Sequence, residues 1–315
     1  MNVSSSVSNV TSEAAQDDLS SVILKNVLTV GLCITINYIN VVLVHIFTLN
    51  VNPRYILYIH LVINDILLLT MLTLIHTLSY IVYSINVSLC ILLVMIGTYT
   101  SMNNPMTLAV MAIECYIAVC YPLRHSQICT VNKTYTVIGL IWVICTVNLL
   151  PDLFVTLATE PLEFFHLQVF CTYGNIFRHQ YLAVKRDISN ALLLVAVWLT
   201  LLYSYFKILF AAQSISSDAK KARNTILLHS FQLVLSMLIY VKSEIGNGLI
   251  YFFPKSVTAV RFGVALLVNI LPRLVTPLVY GVRDKTFRKY LKQYLFCLPY
   301  IFRKTVPGFS CIKKR

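Results

Sequence analysis

The sequence predicts an all-α membrane protein, a seven-transmembrane helix bundle with a short amphipathic eighth helix. Three observations carry that expectation. Of 315 residues, 58% are hydrophobic and only 12% are charged, far from the balance of a soluble domain. The apolar residues gather in blocks of about 20, the length needed to cross a hydrocarbon core. The formal net charge of +13 comes from basic residues in short loops and a C-terminal tail. A nucleic-acid binder would spread them along one exposed face; this placement suits cytoplasmic segments between membrane spans.

In chain order, Met1 to Ser21 is polar and acidic with no basic region ahead of an apolar core, so no cleavable signal peptide is expected. It carries two glycosylation sequons, at Asn2 and Asn9, which require an extracellular location to be used. Seven candidate spans follow: Val27–Leu49, Tyr55–Tyr80, Leu89–Met111, Thr134–Leu157, Ile188–Phe210, Thr225–Gly246 and Thr258–Gly281, each long enough to cross. Pro272, Arg273 and Pro277 interrupt the seventh. With the N-terminus outside, the inner segments hold Arg54, Arg124, Lys133, Lys207, Lys220, Lys221, Arg223 and the whole basic tail. No Lys or Arg occurs in the first twenty-four residues or between the second and third spans. That bias places the C-terminus in the cytoplasm. Residues 284–315 then form an amphipathic helix and a basic tail. Phe287, Leu291, Tyr294 and Leu295 share one face of that helix, against Arg288, Lys289 and Lys292 on another, which suits an anionic inner leaflet. Cys297, just beyond it, is a palmitoylation candidate and equally an unmodified thiol. The organisation expected is a tail at 1–24, a receptor-like bundle at 25–283, and the helix and tail at 284–315.

Nine cysteines are an odd number, so at least one stays unbridged within a monomer. No CxxC pair or Cys/His spacing suggests a metal, and no nucleophile–base arrangement suggests an enzyme. Cys33, Cys120 and Cys145 fall in or beside apolar runs, where small buried hydrophobes are expected. Cys90 and Cys171 are the two placed on the oxidising side by this topology, and a bridge between them would pin the long loop Asp152–Lys185 over the outer mouth.

The third span ends in MAIECYIAVCYPL, Met111 to Leu123. The second reads PRYILYIHLVIND, Pro53 to Asp65. The fifth and sixth are bounded by SYFKI, Ser204 to Ile208, and KARNTILLH, Lys221 to His229. The seventh ends TPLVY, Thr276 to Tyr280. In order and spacing these resemble the signatures of vertebrate odorant receptors of the fish type, within the rhodopsin-like G-protein-coupled receptors. The resemblance spans nearly the whole chain and assigns the same Cys90–Cys171 disulfide. Within the third-helix signature it departs at one letter: where the family has arginine beside the acid, this chain has Cys115.

The resemblance implies a receptor of the ciliary plasma membrane of olfactory sensory neurons. A small-molecule odorant would bind in the outer half of the bundle and activate a heterotrimeric G protein of the olfactory stimulatory type, acting through cyclic AMP. The activation switch would comprise Glu114, Cys115, Tyr116, Tyr205, Lys221, His229, Pro277 and Tyr280. A polar core would comprise Asp65, Asn37 (or Asn40) and Asn104, with His60 and Asn64 as same-helix partners and a sodium ion near Asp65; Thr276, in place of the family asparagine, weakens the case for sodium. No other cofactor is implied. Candidate ligand contacts are Thr98, Ser101, Met102, Ser189, Tyr240, Lys242, Glu244 and Asn269. Two alternatives stand beside this reading. Without the arginine, Glu114 is expected to lose its cation, giving weak or partner-dependent coupling, because a thiol has neither charge nor bidentate donors. A transporter or channel is the more remote alternative, and the internal repeats such folds often show are missing from the sequence.

Overall fold

The computed structural model describes residues 19–47, 52–81, 84–169, 171–212 and 241–276, with seven positions between 227 and 238. The expected eighth helix and Cys297 lie outside the described residues, as do Asn2 and Asn9. Among the described residues five helices are long and apolar enough to cross a membrane: α1 (Leu19–Phe47), α2 (Pro53–Ile81), α3 (Val87–Cys120), α5 (Val131–Thr159) and α7 (Gln180–Ala212). Between them lie two short helices, α4 (Pro122–Ile128) and α6 (Tyr173–Ile176). Beyond them come helical positions at Leu227, Ser230, Phe231, Val234, Leu235 and Met237, then α8 (Lys242–Phe252) and α9 (Val257–Ala265). A π-helical turn, Leu266–Ile270, follows α9, and helix resumes to Thr276.

These helices reverse the soluble pattern. Leu140, Val143, Ile144 and Val147 on α5 are each at least half exposed, an apolar surface that lipid rather than water would cover. The buried side is mixed. At its centre is α3, which packs against α2, α5 and α7, while α1 packs against α2. Leu57, Tyr58, Leu61 and Val62 of α2 join Leu108, Met111 and Ala112 of α3 in the main apolar cluster. His60 ties three helices within it: Nε2 accepts from Trp142 Nε1 at 2.8 Å, and Nδ1 lies 3.1 Å from Thr107 Oγ1. Accepting at Nε2 leaves the proton on Nδ1, which then donates to Thr107. His60 and Asn64 pair with each other (3.2 Å) and make no bond to Asp65 among those described, contrary to the expectation for them.

One end of the bundle is closed by chain between α5 and α7. Strand β1 (Ile85–Asn86) pairs antiparallel with β2 (Gln168–Val169), and Asn86 caps α3 by accepting from Ser88 N. Cys90 is bonded to Cys171, with Cα atoms 5.6 Å apart. Phe164, Ile176, Phe177 and Leu182 pack around that disulfide. The lid is therefore a small apolar core of its own. It is also shorter than the sequence suggests: Asp152 and Lys185 lie inside α5 and α7, not at the ends of the loop. At the other end, Pro122 opens α4 at its first position, where a missing N–H costs nothing. Removing the bridge with Cys90→Ser should cost about 2–5 kcal/mol; the measurable consequence is a lower Tm in detergent, and an unchanged Tm would contradict this role.

Candidate functional site

Beneath the disulfide-pinned lid lies a cavity of roughly 570 Å³, large enough for a small organic molecule. Its inner wall is apolar, built from Leu68, Met71, Leu72 and Ile75 of α2 with Leu93 and Val94 of α3. Five of the sequence-expected contacts line it: Thr98, Ser101, Met102, Lys242 and Asn269. Ser189 does not; its neighbour Asn190 lines the wall instead. Tyr240 and the side chain of Glu244 lie outside the described residues.

The cavity also has a polar wall that hydropathy did not reveal. Asp152 is nearly sealed, at 3% exposure, yet holds Lys185 Nζ at 2.5 Å and accepts from the Tyr173 hydroxyl at 2.8 Å. Lys185 also donates to the carbonyl of Asn148 one turn back. Burial first, and the Asp152 contact second, push the Tyr173 phenol above its ordinary range, so it keeps its proton and stays a donor. Arg186 stacks over the Tyr173 ring at 4.8 Å and reaches Asp187 at 3.1 Å. An acid and a base within about two turns of the ends of two apolar helices were the available signal in the sequence.

A second polar cluster sits deeper. Asp65, 2% exposed, accepts from Asn104 Nδ2 at 2.7 Å and from Thr276 Oγ1 at 3.1 Å. Asn37 points elsewhere, donating to Thr70 Oγ1 at 3.2 Å. The expected Asn37–Asp65 neighbourhood is thus replaced by an α3–α2 contact through Asn104 and a contact to the last helical stretch through Thr276. Arg273, also 2% exposed, places Nε 3.5 Å from Asp65 Oδ1.

The third cluster is at the end opposite the lid. Glu114, 6% exposed, receives a two-pronged bond from Arg54: Nε to Oε2 and Nη2 to Oε1, both at 3.0 Å. His125 Nε2, on α4, lies 3.0 Å from Oε1. This corrects the expectation that Glu114 loses its cation. The guanidinium arrives from the first turn of α2 instead of from position 115. Cys115 itself is 4% exposed and packs with Ile208, beside Tyr116 and Tyr205; Tyr116 meets Tyr121 and Tyr203 edge to face. So Glu114, Cys115, Tyr116 and Tyr205 are brought together, whereas Lys221, His229, Pro277 and Tyr280 lie outside the described residues.

Residues 37–280 match the family model for the seven-transmembrane receptors of the rhodopsin family. The chain is 32% identical over 224 residues to odorant receptor 131-2 of Danio rerio, covering 70% of this chain and 69% of that protein. It is 33% identical over 214 residues to human olfactory receptor 52N4, covering 61% of each chain. Human olfactory receptor 6S1 is 25% identical over 239 residues.

Breaking a buried, hydrogen-bonded pair from one side costs more than the pair contributes, because the other charge is left stranded. Arg54 is partly exposed (35%) and His125 remains, so Arg54→Gln should destabilise by about 1–3 kcal/mol. The thermal-shift Tm should fall, and Arg54→Gln/Glu114→Gln should recover part of the loss; no recovery would show that the two residues act independently.

Proposed function

The chain belongs to the rhodopsin family of seven-transmembrane receptors, and from that premise we propose that it is a chemosensory receptor of the odorant type. A small-molecule odorant binds in the lidded cavity and favours the bundle arrangement that admits a heterotrimeric G protein, of the stimulatory olfactory type acting through cyclic AMP. In this reading seven spans cross the plasma membrane of the sensory cilium, with the N-terminus and the disulfide outside. The basic tail and an amphipathic eighth helix lie on the cytoplasmic leaflet. The observation that carries the proposal is the cavity itself: it lies under the Cys90–Cys171 lid and is lined by Thr98, Ser101, Met102, Lys242 and Asn269.

The test is an odorant screen with a cyclic-AMP readout in cells expressing the receptor, run in parallel with a promiscuous chimeric G protein. For an agonist so found, Ser101→Leu should raise the half-maximal concentration by about tenfold or more, equivalent to about 1.4 kcal/mol of binding, with surface expression unchanged. An agonist whose potency ignores every cavity variant would place its site elsewhere.

A second reading, weak or partner-dependent coupling, is favoured by the burial of Cys115 against Ile208. In the family the arginine at that position reaches the G-protein tail when active; a buried thiol offers no such contact. Cys115→Arg should therefore increase the maximal cyclic-AMP response several-fold at equal surface expression. Equal, robust responses from wild type and Cys115→Arg would exclude this reading.

A further inference from the structure

The resemblance implies a sodium ion beside Asp65. The surroundings of that carboxylate suit a different occupant, and we infer that Arg273 is a tethered cation that takes the place of the ion. Neither the ligand nor the G protein enters this pairing, so its test is independent of the proposed signalling.

Three features support it. The first is charge. Asp65 and Arg273 are each 2% exposed, with Nε 3.5 Å from Oδ1. A carboxylate buried at this depth requires a cation or a proton, and the guanidinium supplies the cation permanently. A sodium ion added to an already neutral pair would bury a net positive charge, which is costly in an apolar interior.

The second is donor arithmetic. Both Asp65 oxygens already have donors, Asn104 Nδ2 on Oδ1 and Thr276 Oγ1 on Oδ2, and these compete with metal coordination for the same lone pairs. Asn104 Oδ1 is buried without a partner among the described residues, but one neutral amide oxygen falls short of the several oxygens a hard cation gathers.

The third feature is how Arg273 is held. The helical partner of the Val268 carbonyl, four residues on, would be Pro272, which has no N–H. The backbone passes through the π-helical turn Leu266–Ile270 at this point, and Arg273 Nη1 donates to Val268 O at 3.1 Å. The guanidinium thus satisfies the carbonyl that proline abandons while its Nε side faces Asp65. Pro272 and Arg273, which interrupt the seventh apolar run in the sequence, act as one unit.

Arg273 is accordingly a positioning residue: it fixes the last helical stretch to α2 through Asp65 and makes the receptor indifferent to sodium. The decisive measurement is the thermal-unfolding Tm of the purified full-length receptor in detergent, in sodium chloride and in N-methyl-D-glucamine chloride at matched ionic strength. Wild type should give the same Tm in both. Arg273→Met, which leaves Asp65 with no cation, should lose several degrees in N-methyl-D-glucamine and regain part of that loss in sodium. Asp65→Asn removes the carboxylate that faces the Arg273 guanidinium and should also lower Tm, with no sodium response. Asp65→Asn/Arg273→Met should be more stable than either single variant. Sodium stabilisation of the wild type, or an Asp65→Asn variant as stable as wild type, would overturn the inference. Those two measurements decide the matter even if Arg273→Met does not fold.

Discussion

Carboxylates within an apolar bundle must be neutralised from nearby, and this requirement fixes how the helices of this receptor meet. Among the described residues three acids are almost sealed from solvent: Asp65, Glu114 and Asp152. Each is matched by a base from a different element, Arg273, Arg54 and Lys185 respectively. None of the pairs needs to contribute large net stability, since desolvation offsets most of the attraction. Their effect is on specificity. Sliding one helix past another by a turn would leave an acid and a base unpaired in a medium that cannot solvate them.

Helix α2 carries a member of two of these pairs. Arg54 and Asp65 are eleven residues apart in one uninterrupted helix. That spacing is about three turns, so the two side chains leave the same face, separated by about 16 Å along the axis. One rod thus reaches Glu114 at the end opposite the lid and Asn104, Thr276 and Arg273 in the interior. A displacement of the last helical stretch relative to α2 acts on the Asp65 contacts, and a displacement of α2 relative to α3 acts on the Glu114 contacts. The Asp65 and Glu114 clusters are thus joined by one continuous helix.

What hydropathy and spacing made legible were five of the seven spans, the disulfide, and five of the cavity-lining residues. Those properties belong to single segments or to loops with a definite side, so a linear pattern suffices. Partner identity was not legible in the same way. Arg54 looked like one of the inner-face charges, Arg273 like an interruption of the seventh span, and Asp152 and Lys185 like the ends of a loop. Each has its meaning only through the rotational register between two helices, which hydrophobic periodicity in nearly uniformly apolar segments does not encode. Asn37 illustrates the converse. It is close to Asp65 in the family pattern, but its amide reaches Thr70, one turn further along α2.

Arg54 supplies from another helix the cation that Cys115 does not provide, so the charge at Glu114 is kept while the way it is held changes. In the family signature the arginine adjoins the acid on the same helix. Here the guanidinium belongs to the first turn of α2 and grips Glu114 with two bonds at 3.0 Å, with His125 of α4 against the same carboxylate. The pair therefore also ties α2 to α3, which a pair within one helix does not do. Cys115 meanwhile faces Ile208 of α7, where an arginine would have to bury its charge against an apolar neighbour. A small thiol permits that close α3–α7 packing, and the acid keeps its cation because a different helix supplies it.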